Sequence, residues 1–97
     1  MTCTAAIVLT VSPPFTELDA ATAAEFSKWG RKLFGAAPVL VILDFSAVAY
    51  LGASAISVLL EMDNALATRG VPLRIINAQR IVTRVLTICD LHTRWLE

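Results

Sequence analysis

The order of apolar and polar residues along the chain predicts three short strands, each followed by a helix. An apolar run at residues 5–11 reads as the first strand, and Pro13-Pro14 ends it because proline cannot donate to a strand ladder. The nearly continuous apolar run at residues 39–45 is typical of a strand covered on both faces. Residues 73–76 are the third strand. This alternation favours parallel strand pairs with helices packed against them, and the N-terminal segment is also compatible with an antiparallel edge.

Apolar residues at helical spacing predict the three helices. The first begins after Asp19, a favoured N-cap residue, and ends at residues 35–38. The second spans residues 53–69 and ends at Gly70, and Asn77 is expected to cap the third. The expected buried stripes are Phe26, Gly30, Leu33 and Phe34 in the first helix, Ala55, Val58, Leu59, Met62, Ala65 and Leu66 in the second, and Ile81, Val82, Val85, Leu86 and Cys89 in the third.

The composition indicates one soluble domain with a surplus of apolar surface. The chain has 97 residues, of which 57% are hydrophobic, against a usual value of about 45–50%. No apolar run approaches the ~20 residues that span a bilayer, and no Lys or Arg precedes the first apolar run as in a signal peptide. We therefore expect a cytoplasmic protein that binds a partner or forms a homodimer, edge to edge or helix to helix.

Charge and residue spacing argue against several function classes. The 8 basic and 8 acidic residues cancel, and without a basic cluster the chain is not expected to bind nucleic acid. Cys3 and Cys89 are far apart and form no CxxC pair, so no disulfide or metal role is expected. The chain has no phosphate-binding glycine motif. Its spacing does not support catalysis by Ser54 and His92, so we expect no enzyme activity and no cofactor, with His92 a surface or packing residue.

Residues 48–60, V-A-Y-L-G-A-S-A-I-S-V-L-L, are similar in register to V-S-F-I-D-S-S-G-L-G-V-L-L of STAS domains (sulfate transporter and anti-sigma factor antagonist). Residues 16–23 resemble that family's G-E-L-D-x-x-T-A, and residues 70–91 resemble its final strand and helix. The resemblance covers about residues 7–91. It implies a single domain over residues 1–97 with the small STAS α/β fold, a mixed, mostly parallel sheet with packed helices. Family members usually begin with two N-terminal strands, whereas this chain has room for about one.

The resemblance also shows a departure at the turn before the second helix. In anti-sigma factor antagonists the first serine of D-S-S-G is phosphorylated by the partner kinase, and a phosphate adds about −1.5 to −2 charges that oppose docking. Here Gly52 replaces the aspartate, Ala53 replaces that serine and Ala55 replaces the glycine. Ser54 matches the second serine. We interpret Ser54 either as a capping or structural residue or as a substitute phosphoacceptor. The departure predicts a docking site without the usual switch.

The resemblance implies a bacterial, non-catalytic protein-interaction module. It is expected to bind an anti-sigma factor or a related serine kinase-like regulator and so control sigma factor activity. The alternative is a STAS subunit of a lipid-trafficking ABC transporter, which binds the ATPase subunit. Asp19 is read both as a helix cap and as a partner contact, and Ile56 and Leu60 as core or contact residues. The expected partner surface comprises Asp19, Gly52, Ala53, Ser54, Ile56 and Leu60.

Overall fold

The computed structural model describes residues 7–96, and its strands are short and all pair in parallel. Residues 5 and 6 of the predicted first strand, Cys3 and the side chain of Phe34 lie outside the described part. A three-stranded sheet has the order β1-β3-β5, and a separate two-stranded sheet pairs β2 with β4. The strands are β1 Val8–Val11, β2 Glu17–Leu18, β3 Leu40–Asp44, β4 Tyr50–Leu51 and β5 Leu73–Ile76.

The helices follow the strands in the predicted alternation, with one addition. The helices are α1 Ala23–Leu33, α2 Ala53–Ala67, α3 Arg80–Ile88 and α4 His92–Trp95, and a single 3₁₀ turn covers Phe34–Ala36. Gly70 has a φ of 70°, the left-handed conformation that ends a helix and that glycine adopts without steric cost. The predicted stop after the second helix is therefore confirmed.

The central strand β3 is covered on one face, so the expectation that both faces are covered is wrong. Val41 and Leu43 are fully buried on the helix side, whereas Leu40 and Ile42 on the opposite face are only half-buried. The strand order explains this. The crossovers from β1 to β3 and from β3 to β5 move in one direction across the sheet, and right-handed crossovers then place both connecting helices on the same face.

The core joins the covered face of the sheet to α1, α2 and the C-terminal helices. The predicted stripe of α2 is confirmed, except that Ala65 is half-buried. Gly30 lets α1 approach α2 closely, because a Cβ at this position would lie 2.7 Å from the Met62 sulfur. Trp95 in α4 is fully buried and is the largest side chain of the core.

Two expectations for the last predicted helix are wrong. Asn77 does not cap it: this residue has a φ of 57°, and the N-cap of α3 is Gln79, without a side-chain cap bond. Its buried stripe is also narrower than predicted, because Ile81 is 49% exposed and Cys89 is exposed. Val82 and Leu86 supply the buried contacts of α3. α3 packs against β4 of the two-stranded sheet and against α4, which leaves its other sides open to solvent.

Candidate functional site

The short parallel pair of β2 and β4 brings two distant segments together. Leu18 lies opposite Leu51 in this pair, and the N–H of Gly52 donates to the carbonyl of Leu18 at 2.8 Å. Asp19 follows Leu18 and Gly52 follows Leu51, so the loop after β2 and the turn before α2 are neighbours. We call residues 52–55 together with Asp19 the docking corner. From the sequence, only the resemblance to STAS domains suggested that these residues are neighbours. A strand of two residues is too short to show the alternation of apolar and polar residues that predicts a strand.

Gly52 is the N-cap of α2 and makes no side-chain cap bond. Its carbonyl accepts hydrogen bonds from the N–H groups of Ala55 and Ile56, both at 3.1 Å. Ser54 is the second residue of the helix and is exposed, so it is not the N-cap residue that a capping role requires. The first turn of α2 carries no acidic side chain, so none of its own side chains offsets the positive end of the helix dipole.

The docking corner is accessible at three of its four turn residues. Ala53 and Ser54 are exposed and Gly52 is half-buried, while Ala55 is fully buried. Ala55 therefore belongs to the core and offers no surface to a partner. Ala53 lies at the position where anti-sigma factor antagonists carry the phosphorylated serine, and its methyl group is exposed to solvent. Residues 52–55 carry no charge, and Ala53 has no hydroxyl to accept a phosphate.

Asp19 has a structural role that the structure shows directly. Its Oδ1 accepts hydrogen bonds from the N–H of Ala21 at 3.0 Å and from the N–H of Thr22 at 3.1 Å. In return, the N–H of Asp19 donates to Thr22 Oγ1 at 3.0 Å, and that hydroxyl donates to the Glu17 carbonyl at 2.9 Å. This reciprocal arrangement has the bonding of a helix cap, and residues 19–22 form the turn that leads into α1. Asp19 therefore caps the turn that leads into α1, whereas the helix itself begins four residues later, at Ala23.

Ile56 and Leu60 lie on the side of α2 that faces the C-terminal helices. Both are half-buried and pack against the core. Asp63 continues this side one turn further, and its Oδ2 accepts a hydrogen bond from Arg94 Nε, which also forms an ion pair. The exposed parts of Ile56 and Leu60 are accessible to a partner, but much of each side chain is packed against the core.

Tyr50 is a residue of this surface that sequence reasoning missed. It is 46% exposed, and its ring lies beside Gly52, because a Cβ at residue 52 would sit 3.3 Å from Tyr50 Cε2 and 3.5 Å from its hydroxyl oxygen. Exposed tyrosines often contribute binding energy at protein interfaces. The signal in the sequence was an aromatic residue directly before the turn, on a strand too short to predict.

The arrangement does not bring Ser54 and His92 together. The Asp63–Arg94 ion pair places α4 beside the later turns of α2, about 14 Å along the helix axis from Ser54 at ~1.5 Å per residue. Among residues 7–96 no group of three or more metal-ligating side chains is found, and none of the described helices is long and apolar enough to cross a membrane.

Comparison with known families settles what kind of domain this is. A model of the STAS domain matches residues 5–94. The chain belongs to the STAS family. As a STAS domain it is of a class of protein-interaction modules that are generally non-catalytic. The predicted resemblance and the small α/β STAS fold with its mostly parallel sheet are confirmed.

A solved structure is similar to this STAS domain along most of its length. It is the crystal structure of a sulfate transporter family protein from Wolinella succinogenes, with a TM-score of 0.75 and 16% sequence identity. The match covers 92% of this chain and 75% of that chain. At this level of identity the similarity concerns the fold. A search of curated proteins finds no significant match.

Proposed function

We propose that this STAS domain binds an anti-sigma factor or a related serine kinase-like regulator through the docking corner, and that it does so without a phosphorylation switch. Binding would sequester the regulator and thereby control a sigma factor in the bacterial cytoplasm. The observation that carries the proposal is the exposed Ala53 at the start of α2, next to Asp19 across the β2–β4 pair. The corner keeps the register of the family's docking turn and lacks its hydroxyl.

The physical consequence is a partner surface whose charge is constant. A phosphate at residue 53 would add about −1.5 to −2 charges and would have to be desolvated on docking. Ala53 has no hydroxyl to carry one, and we propose that the exposed Ser54 beside it stays unmodified. The domain is therefore competent to bind at all times, and its effect in the cell is set by its amount.

The same observation supports a second candidate, the STAS subunit of a lipid-trafficking ABC transporter that binds the ATPase subunit. A permanent subunit needs a docking surface that is always available, and a turn without a phosphoacceptor at residue 53 provides one. The two candidates differ in the partner. An ATPase subunit carries a G-x-x-x-x-G-K-[ST] phosphate-binding loop, and the sequence of the captured partner tells them apart.

The test uses affinity purification from native cells with three baits: the wild-type chain, Ala53→Glu and Asn64→Glu. Ala53→Glu places charge and bulk on the exposed corner, while an acidic residue in the first turn suits the helix dipole, so folding is preserved. Asn64→Glu makes the same change of charge at an exposed position of α2, about 16 Å along the axis.

We expect the wild-type chain and Asn64→Glu to retain one partner that Ala53→Glu loses. Loss from both variants, or from neither, contradicts docking at the corner. With the purified partner and ATP, the mass of the intact wild-type chain should stay unchanged. Stoichiometric phosphate on Ser54 would overturn the absence of a switch.

A further inference from the structure

We propose that two copies of this chain form a closed dimer by antiparallel pairing of their β1 strands. The two three-stranded sheets then become one six-stranded sheet with all helices on one face. The proposal concerns a surface remote from the docking corner and does not depend on the proposed partner.

The first observation is that β1 is an open sheet edge within residues 7–96, where it pairs with β3 alone. The carbonyl of Ile7 accepts a hydrogen bond from the N–H of Val39 at 2.9 Å, so the odd-numbered residues of this segment turn their backbone groups toward β3. Because backbone direction alternates along a parallel strand, the N–H and C=O groups of Val8 and Thr10 point away from the sheet. Such a row of free groups is a template for another strand.

The second observation is that β1, although it is a short edge strand of four residues, has no side chain that protects it from pairing. Protected edges carry lysines, prolines or bulges. The first charged residue of the chain is Glu17, and Pro13 lies beyond the end of β1. The edge is instead flanked by exposed aliphatic side chains, since Ile7 is 44%, Val8 54% and Val39 49% exposed.

The third observation identifies a second copy as the occupant. The opposite edge of the sheet, at β5, is closed: Leu96 pairs with Ile75, and the Arg74 guanidinium donates to the Leu73 carbonyl at 3.3 Å. A sheet with one open edge can pair once and then stops, which gives a two-fold dimer and no polymer. Because β1 has no charge, pairing with itself sets no like charges opposite each other.

The main test is sedimentation velocity across a dilution series for the wild-type chain, Val8→Lys and Ile88→Lys. Ile88 on α3 is 77% exposed, so its replacement is the matched control: it also exchanges an exposed aliphatic side chain for lysine. It also tests the competing surface on α3, where Ile81 is exposed as well.

We expect the wild-type chain and Ile88→Lys to sediment at twice the 10.5 kDa chain mass when concentrated and at the chain mass when dilute. Val8→Lys should raise the dissociation constant by about tenfold or more, because each dimer loses two valine contacts and gains two like charges in one short ladder. A wild-type chain that is monomeric throughout, a larger polymer, or a dimer that only Ile88→Lys dissociates would overturn the proposal.

Amide hydrogen exchange of the unmodified chain provides a test that does not depend on any variant folding. The Thr10 amide faces the free edge and the Leu9 amide faces β3. Exchange at Thr10 should slow as the concentration rises through the dimer range, while exchange at Leu9 stays constant. A dimer in which Thr10 exchanges at the same rate as in the monomer rules out pairing through β1.

Discussion

Two substitutions at Asp19 separate its role in the fold from any role in binding. Asp19→Ala removes the acceptor of the hydrogen bonds from the N–H groups of Ala21 and Thr22. Asp19→Asn keeps an oxygen at the same place and removes only the charge. If the cap explains the residue's contribution to stability, the alanine variant is destabilised and the asparagine variant is not.

The size of the effect follows from capping energetics. Loss of an acidic or hydroxyl cap costs about 1 kcal/mol of unfolding free energy, with a range of about 0.5–2, and Asn caps about as well as Asp. For a domain of this size ~1 kcal/mol lowers the melting temperature by about 4–8 °C. In urea the midpoint should fall by about 0.3–1 M, given m-values of ~1–3 kcal/mol/M.

Urea unfolding followed by circular dichroism, with calorimetry for the melting temperature, measures both variants against the wild-type chain. We expect Asp19→Ala to lower the free energy of unfolding by about 1 kcal/mol. The free energy of unfolding of Asp19→Asn should stay within about 0.5 kcal/mol of that of the wild type. Equal destabilisation by both variants refutes the cap argument, as does an alanine variant with unchanged stability. If Asp19→Asn keeps its stability but loses the partner, the carboxylate charge also contacts that partner.

Three further changes test other parts of the structure. Leu86→Ala, at a fully buried position of α3, should lower the free energy of unfolding in urea by about 2–5 kcal/mol. Ile88→Ala on the same helix should change it by less than about 0.5 kcal/mol. Equal losses from both variants would contradict the orientation of α3. Gly70→Ala, at a φ of 70°, should cost about 1–2 kcal/mol in the same assay, and an unchanged stability would contradict that backbone conformation. The backbone N–H of Ser46 donates to Asp44 Oδ1 at 2.9 Å, and this bond, with smaller effects of the Ser46 and Asn77 side chains, lowers the pKa of Asp44 from its usual value. A group with a lowered folded pKa stabilises the fold above its unfolded pKa and loses that contribution as pH falls through the folded value. The carboxyl carbon shift of Asp44 should therefore titrate below the usual range of an aspartate. The stability advantage of the wild type over Asp44→Asn should fade with acid, and a normal titration midpoint contradicts this.

The elements in which apolar residues recur at a regular spacing could be predicted from the sequence. The stripe from Ala55 to Leu66 in α2 and the strand at residues 73–76 were predictable because each buries a regular set of positions against the core. The pair of β2 and β4 was not, because strands of two residues contain no period. The single turn of α4 was missed for the same reason, although Trp95 within it is fully buried.

Burial that depends on neighbours was harder to predict than secondary structure. Leu40, Ile42 and Ile81 are apolar and were expected to be covered, yet strand order and the position of α3 leave them partly exposed. At the docking corner, resemblance pointed to residues 52–54, while local chemistry alone identified only the cap at Asp19. Tyr50 and the burial of Ala55 depend on how the turn folds, which no residue pattern in this segment specifies.

The central claim is that residues 52–54 with Asp19 form the surface that meets the partner. Photo-cross-linking in native cells tests it most directly, with a photoreactive amino acid placed at residue 53 in one chain and at residue 64 in another, both exposed on α2. The account predicts one covalent adduct from residue 53, on an anti-sigma-type kinase or a transporter ATPase, and none from residue 64. An adduct formed from residue 64 alone, or equally from both positions, would contradict it.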